Sequence, residues 1–146
     1  MNALRILIID DDDRLVKVLR DCFENEGHTV SDTANLWQAE QMIGQGKGDA
    51  YHVVFLDLDM SIADMPEEHQ DYAVDTFAGW AFYKRVMPTD ALRKKTIFLT
   101  AYDDQLAERL QSLDPPESPP GKKHVLAKGP NITEIALRMA GEIVRR

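Results

Sequence analysis

Four consecutive carboxylates, Asp10, Asp11, Asp12 and Asp13, follow the apolar run Ile6-Leu7-Ile8-Ile9. Like charges this close repel, so gathering them at a strand end is costly without a cation to neutralise them. Hard cations such as Mg²⁺ take oxygen ligands, and paired carboxylates hold them well. Further polar groups stand at the ends of later apolar runs. Asp57 and Asp59 follow Val53-Val54-Phe55-Leu56, Thr100 closes the run Thr96–Thr100, and Lys128 follows Val125–Ala127. As a set they have the parts for phosphoryl transfer. Asp10, Asp11 and Asp57 supply oxygens for a divalent cation, and Asp57 keeps an oxygen that can act as a nucleophile, as carboxylates do in forming aspartyl phosphates. The transferred group carries negative charge on three equatorial oxygens, so the task is positioning and neutralisation. The cation would take one oxygen, Lys128 another, and the Thr100 hydroxyl or a loop N–H the third. Singly, each residue has an ordinary alternative: Asp as a helix N-cap, Thr as a β-former, Lys as a solvated side chain. Their order along the chain sets them apart.

These groups meet only if the fold carries several strand ends to one place. Short apolar runs alternate with helix-period segments, the pattern of a parallel sheet flanked by helices. Strands are expected at 6–9, weakly around Val30, and at 53–56, 96–100 and 125–127. Leu15, Leu19, Cys22 and Phe23 recur at helical spacing until Gly27 stops the helix, with Cys22 read as core. Leu36, Ala39, Met42 and Ile43 mark a second helix, closed by the glycines from 44 to 48. Trp80, Tyr83 and Met87 mark a third, and Leu106, Leu110 and Leu113 a fourth. Asn131-Ile-Thr-Glu134 resembles a capping box opening the last, whose buried face includes Ile135, Met139 and Ile143. Five strands and five helices in alternation give an α/β, doubly wound parallel sheet, in which ligands sit beyond the carboxyl ends of the strands. Two stretches break the rhythm. Residues 61–76 hold Asp64, Glu67, Glu68, Asp71 and Asp75 and little that could form a core, so they read as an inserted acidic loop, less ordered than the sheet. Residues 114–123 hold four prolines and read as a stiff surface loop inside one domain spanning 1–146.

Composition narrows the function classes. The chain has 146 residues, 44% hydrophobic and 29% charged, which suits one globular domain. A net charge of −8 argues against direct nucleic-acid binding, which needs clustered Lys and Arg. With Cys22 as the one cysteine, no internal disulfide or thiolate zinc site can form. No apolar run of about 18 residues and no signal-peptide pattern is present, so the expectation is a cytoplasmic protein with no membrane contact.

In this order, IIDDDD after the first strand, FLDLDM at the third, IFLTAY at the fourth and LAKGP at the fifth make the chain resemble the receiver domain of the response-regulator family, from Arg5 to the last helix. The resemblance implies a flavodoxin-like five-stranded sheet of order 2-1-3-4-5. It implies Asp57 as phosphoacceptor, Asp10 and Asp11 as the acidic pair that holds Mg²⁺, the backbone carbonyl of Asp59 as a further ligand, and Thr100 and Lys128 at the phosphate-contacting positions. The implied donor is a phosphohistidine on a sensor histidine kinase or a histidine phosphotransfer protein. The implied partner or homodimer surface is the face of the fourth helix, fifth strand and fifth helix, reshaped when the phosphoryl group adds a charge of about −2. The resemblance makes the chain a signalling receiver that catalyses only its own phosphorylation and dephosphorylation. No effector pattern such as helix-turn-helix fits within the length, which implies a stand-alone receiver or the first part of a longer regulator.

The chain departs from the family pattern at several points. Ser61 stands where Pro is usual, and the acidic insertion follows. Val125 occupies the place of an aromatic switch residue, and Gly129 separates Lys128 from Pro130. Asp59 and Tyr102 occupy positions that tune phosphoaspartate hydrolysis. Two other readings compete. A haloacid-dehalogenase-type phosphatase shares the Asp57-Leu58-Asp59 pattern, a strand ending in Thr100 and a later lysine. It needs an acidic pair beyond that lysine, where only Glu134 and Glu142 of the last helix remain. A degenerate receiver, acting as a phosphorylation-independent binding module, would explain the insertion and the missing aromatic, but not the retention of every core residue.

Overall fold

The computed structural model describes residues 2–44, 46–58, 60, 79, 82–83, 86–87, 89–100 and 124–145. Its centre is a five-stranded sheet in the order β2-β1-β3-β4-β5, with every pairing parallel. The strands are β1 (Arg5–Ile9), β2 (Thr29–Thr33), β3 (Val53–Asp57), β4 (Thr96–Thr100) and β5 (Val125–Ala127). The expected order 2-1-3-4-5, the flavodoxin-like order, is the one observed. β3 and β4 are buried at every position, as their apolar runs 53–56 and 97–99 require when both faces of a strand are covered.

Alternation along the strands divides the core into two layers. Leu7, Ile9, Val54, Leu56 and Phe98 face one side, against Leu36, Ala39 and Ile43 of α2 (Leu36–Ile43) and against Phe82, Tyr83 and Met87. Ile6, Ile8, Phe55, Ile97 and Leu99 face the other. There they meet Leu19 and Phe23 of α1 (Asp13–Asn25) and the Ala136–Met139–Ile143 stripe of the C-terminal helix (Ile132–Arg145). Helices therefore cover both faces, as a doubly wound sheet demands. Among the described residues, no helix is long and apolar enough to cross a membrane.

Asp12 caps α1 by accepting the N–H groups of Arg14 and Leu15, and Gly27 reverses the chain beyond its end at a φ of +87°. The buried stripe of α1 is Val16, Leu19 and Phe23. Leu15 and Cys22 lie about 100° round the helix from it, at 3.6 residues per turn. Cys22 is accordingly half-buried and not part of the core, contrary to the expectation. Two short elements escaped the periodicity: the 3₁₀ turn Lys47–Ala50, and α3 (Asp90–Lys94), whose N-cap Thr89 accepts the Leu92 N–H. Neither is long enough to show an apolar repeat. The C-terminal helix is α4 in this numbering. Gly79, Phe82, Tyr83 and Val86 are helical, in line with the third expected helix. Trp80, the expected helix at 106–113, the acidic stretch and the proline loop lie outside the described residues.

Candidate functional site

Register decides which side chains meet. Ile9 pairs with Leu56, so Asp10 comes abreast of Asp57 one step further. Asp57 pairs with Leu99, and Thr100 with Ala127, which brings Thr100 and Lys128 to the same edge. Two backbone bonds extend the ladder past the strand ends, Lys128 N–H to Thr100 carbonyl at 2.7 Å and Leu58 N–H to Leu99 carbonyl at 3.2 Å.

The four leading aspartates divide into two pairs. Asp12 is the N-cap of α1 and Asp13 its first residue, the ordinary role for Asp at a helix start. Asp10 is buried and Asp11 exposed, and both turn to the site. Carboxylate oxygens of Asp10, Asp11 and Asp57 all lie within 4.8 Å of one another. Lys128 bridges the two buried acids, its Nζ 3.1 Å from Asp10 Oδ2 and 3.3 Å from Asp57 Oδ2. Thr100 is buried at the end of β4.

The electrostatics are unbalanced. Burial pushes the Asp10 carboxyl up, and the Asp12 N–H, which donates to Asp10 Oδ1 at 2.8 Å, and the Lys128 charge offset this only in part. At Lys128, burial opposes the ammonium charge, but Asp10 and Asp57 outweigh it and hold the amine above its usual range. Asp10 Oδ2 has the Lys128 charge beside it but accepts no hydrogen bond of ordinary geometry. A buried acceptor left in this state costs stability unless something else completes its shell. A small hard cation fits: three carboxylates from two strand ends offer it oxygens, and one of those oxygens lacks an aligned donor.

The sequence reading missed one contributor. Gly79 returns the chain to the site, its N–H donating to the Leu58 carbonyl at 3.0 Å. A Cβ there would fall 2.1 Å from the Asp57 carbonyl oxygen and 2.7 Å from the Leu58 Cα, so only glycine lets the backbones approach. The available signal was a glycine between an acidic stretch and an apolar helix. Asp59, expected to offer its carbonyl, lies outside the described residues, as do Ser61 and Tyr102.

No family model and no curated protein sequence matches the chain. Solved structures do. A Francisella response-regulator receiver domain is 19% identical, with a TM-score of 0.66 over 98% of both chains. A CheY-like receiver domain protein from Methanospirillum hungatei is 15% identical, with a TM-score of 0.64 over 99% of this chain and 96% of that one. The receiver domain of a sensor histidine kinase from Pseudomonas aeruginosa, with a magnesium ion coordinated in its active-site cleft, is 15% identical, with a TM-score of 0.64 over 99% and 100%.

The fold is that of a response-regulator receiver domain. Within the receiver fold, the strand ends carry the acids and the lysine at 10, 11, 57 and 128 together, as the motif order required. Val125, in the place of the usual aromatic, is half-buried in β5. No cis peptide bond occurs among the described residues, and the turn after Lys128 closes with the Ile132 N–H on the Gly129 carbonyl at 3.2 Å. The inserted glycine is therefore accommodated within an ordinary turn leading into α4.

Proposed function

We propose that the chain is a phosphoacceptor receiver that takes a phosphoryl group from a phosphohistidine onto Asp57 with Mg²⁺. The observation that carries this reading is the Lys128 ammonium within 3.3 Å of the buried carboxylates of Asp10 and Asp57, two members of a three-acid cluster on the carboxyl edge of the sheet. Asp10 and Asp11 would hold Mg²⁺ with Asp57, and the Asp59 carbonyl would complete the protein's share. Bound Mg²⁺ supplies charge neutralisation for the incoming phosphoryl oxygens. An Asp57 oxygen forms the new bond to phosphorus as the phosphorus–nitrogen bond of the donor breaks. The bonding pair stays on the imidazole nitrogen, which a proton from solvent neutralises. Lys128 then exchanges part of its contact with Asp57 for a phosphoryl oxygen, and the Thr100 hydroxyl takes another. The magnesium of the Pseudomonas domain, and that domain's origin in a sensor histidine kinase, support the same cofactor and donor class here.

The partner that supplies the phosphoryl group is a sensor histidine kinase or a histidine phosphotransfer protein. The output surface is the face made by the segment at 106–113, β5 and α4, used by a downstream protein or a second copy. The chain acts in the cytoplasm as a signalling module, without nucleic acid or membrane. Incubation with acetyl phosphate and Mg²⁺ followed by intact-mass measurement tests this directly. One added phosphoryl group, absent in Asp57→Ala, is expected. No adduct, together with no spectral response to beryllofluoride, would instead identify a phosphorylation-independent binding module.

A further inference from the structure

At the opposite edge of the sheet, His28, His52 and His124 each directly precede a strand, β2, β3 and β5, and each hydrogen-bonds backbone at or just before the start of a neighbouring strand through Nδ1. His124 lies 2.8 Å from the Thr96 carbonyl, so its Nδ1 carries the proton and donates. The other two are reversed. His28 Nδ1 accepts the Leu4 N–H at 3.0 Å, and His52 Nδ1 accepts the Arg5 N–H at 2.9 Å. A ring nitrogen accepts only while it bears no proton.

His52 is the more exposed of the two acceptors and stands among charges. The backbone closes a second bond in the same place, His52 N–H to Arg5 carbonyl at 2.8 Å. From β1, the Arg5 side chain reaches the Ala50 carbonyl at 2.6 Å. From the residue before β4, Lys95 Nζ donates to the Gly48 and Tyr51 carbonyls at 2.7 and 2.9 Å. Asp49, on the 3₁₀ turn, faces Lys95 and partly counters it. An imidazolium here would be a third cation beside Arg5 and Lys95, and its new N–H would point at the Arg5 N–H.

We propose that His52 is a proton-operated latch: neutral, it ties the start of β1 to β3, and protonated, it lets go of the Arg5 amide. The two strands it joins are those whose far ends carry Asp10, Asp11 and Asp57. The latch stands on the amino edge, independently of the phosphoacceptor reading. Burial, then the charges of Arg5 and Lys95, hold the imidazole below its usual range, which agrees with the geometry. The sign follows. Below the unfolded-state value near 6.5, the unfolded chain binds a proton that the folded latch resists, so stability falls as pH drops through that window.

The test uses His52→Asn in the intact chain, because Asn Oδ1 stands where Nδ1 stands, accepts the same N–H and does not titrate. Denaturant unfolding at pH 7.5, 6.5 and 5.5 should show the wild-type unfolding constant rising relative to the variant's, by up to about tenfold per pH unit below about 6.5 while the folded latch stays neutral. Parallel pH profiles overturn the proposal. Nuclear magnetic resonance on the wild type decides independently of how the variant folds. Acid should reduce protection of the Arg5 amide, after correction for intrinsic exchange, in step with His52 protonation. An Arg5 amide indifferent to that protonation also overturns it.

Discussion

The two edges of the sheet are built from the same five strands and treat polar groups in opposite ways. On the amino edge, the side chains of Arg5, His28, His52, Lys95 and His124 each end on a backbone N–H or carbonyl. Strand ends expose orphan backbone groups, and these side chains complete them. On the carboxyl edge, Asp10 and Asp57 are buried side by side against Lys128, with Asp11 close by, and an Asp10 oxygen has no aligned donor. The first arrangement holds strands in register. The second leaves a buried acceptor incompletely satisfied, at a cost in stability that the cation of the proposed function would offset. Fold alone therefore says little about where function sits, and the state of the polar atoms says a great deal.

The comparison breaks or sharpens under substitution. The largest expected effect is on the carboxyl edge. Asp11→Ala removes one of three carboxylates from the cluster. Mg²⁺ affinity should fall by about a hundredfold or more, beyond the loss typical of an outer-shell partner. Titration calorimetry reads this directly, and an unchanged affinity would take Asp11 out of the site. Next in size is His28→Ala on the amino edge. It empties buried volume beside Phe23, whose ring centroid is 6.0 Å away, and leaves the Leu4 N–H without its acceptor. Together these should cost about 2–3 kcal/mol in denaturant unfolding. Mg²⁺ affinity should stay as it was. A loss of affinity in step with stability would mean that the two edges are coupled, and the contrast between them would fail.

Most of the sheet was legible because the middle of a parallel strand covered on both faces must be apolar, and 6–9, 53–56 and 97–99 are. From the strands and the rule that ligands sit at their carboxyl ends, Asp10, Asp11, Asp57, Thr100 and Lys128 could be chosen before any geometry was known. Three things were not legible. Val16 and Cys22 lie about 120° apart round the helix on either side of Leu19, and an apolar repeat does not resolve which of the two flanks faces the core. The close approach of Gly79 to the Asp57 and Leu58 backbone depends on a contact across more than 20 residues of chain, which no local pattern encodes. The histidines precede strands at positions where any polar residue would look like a loop, and their acceptor roles depend on where a neighbouring strand begins.

The smallest effect expected is the most diagnostic, because its sign separates the two edges. Burial raises the Asp10 carboxyl above its ordinary value of 3.8. For an acid raised in the folded state, the ionised form is penalised by folding. Its contribution to stability is intact below the unfolded-state value and is lost as pH rises through the folded one. At pH 7 and without Mg²⁺, wild type thus bears the whole penalty and Asp10→Asn escapes it. The variant should be more stable by about 1 kcal/mol, a modest figure because Lys128 already offsets part of the burial cost. The gap should close as pH falls toward about 4, where the unfolded carboxyl also takes up its proton. Saturating Mg²⁺ should then reverse the order, because a ligand that binds only the folded state stabilises wild type by mass action while the variant has lost a ligand. Melting curves with and without Mg²⁺ at pH 7 and 4.5 measure all of this. A metal-free variant weaker than wild type at pH 7 would mean that the Lys128 contact outweighs burial, and that the carboxyl edge is as well matched as the amino edge.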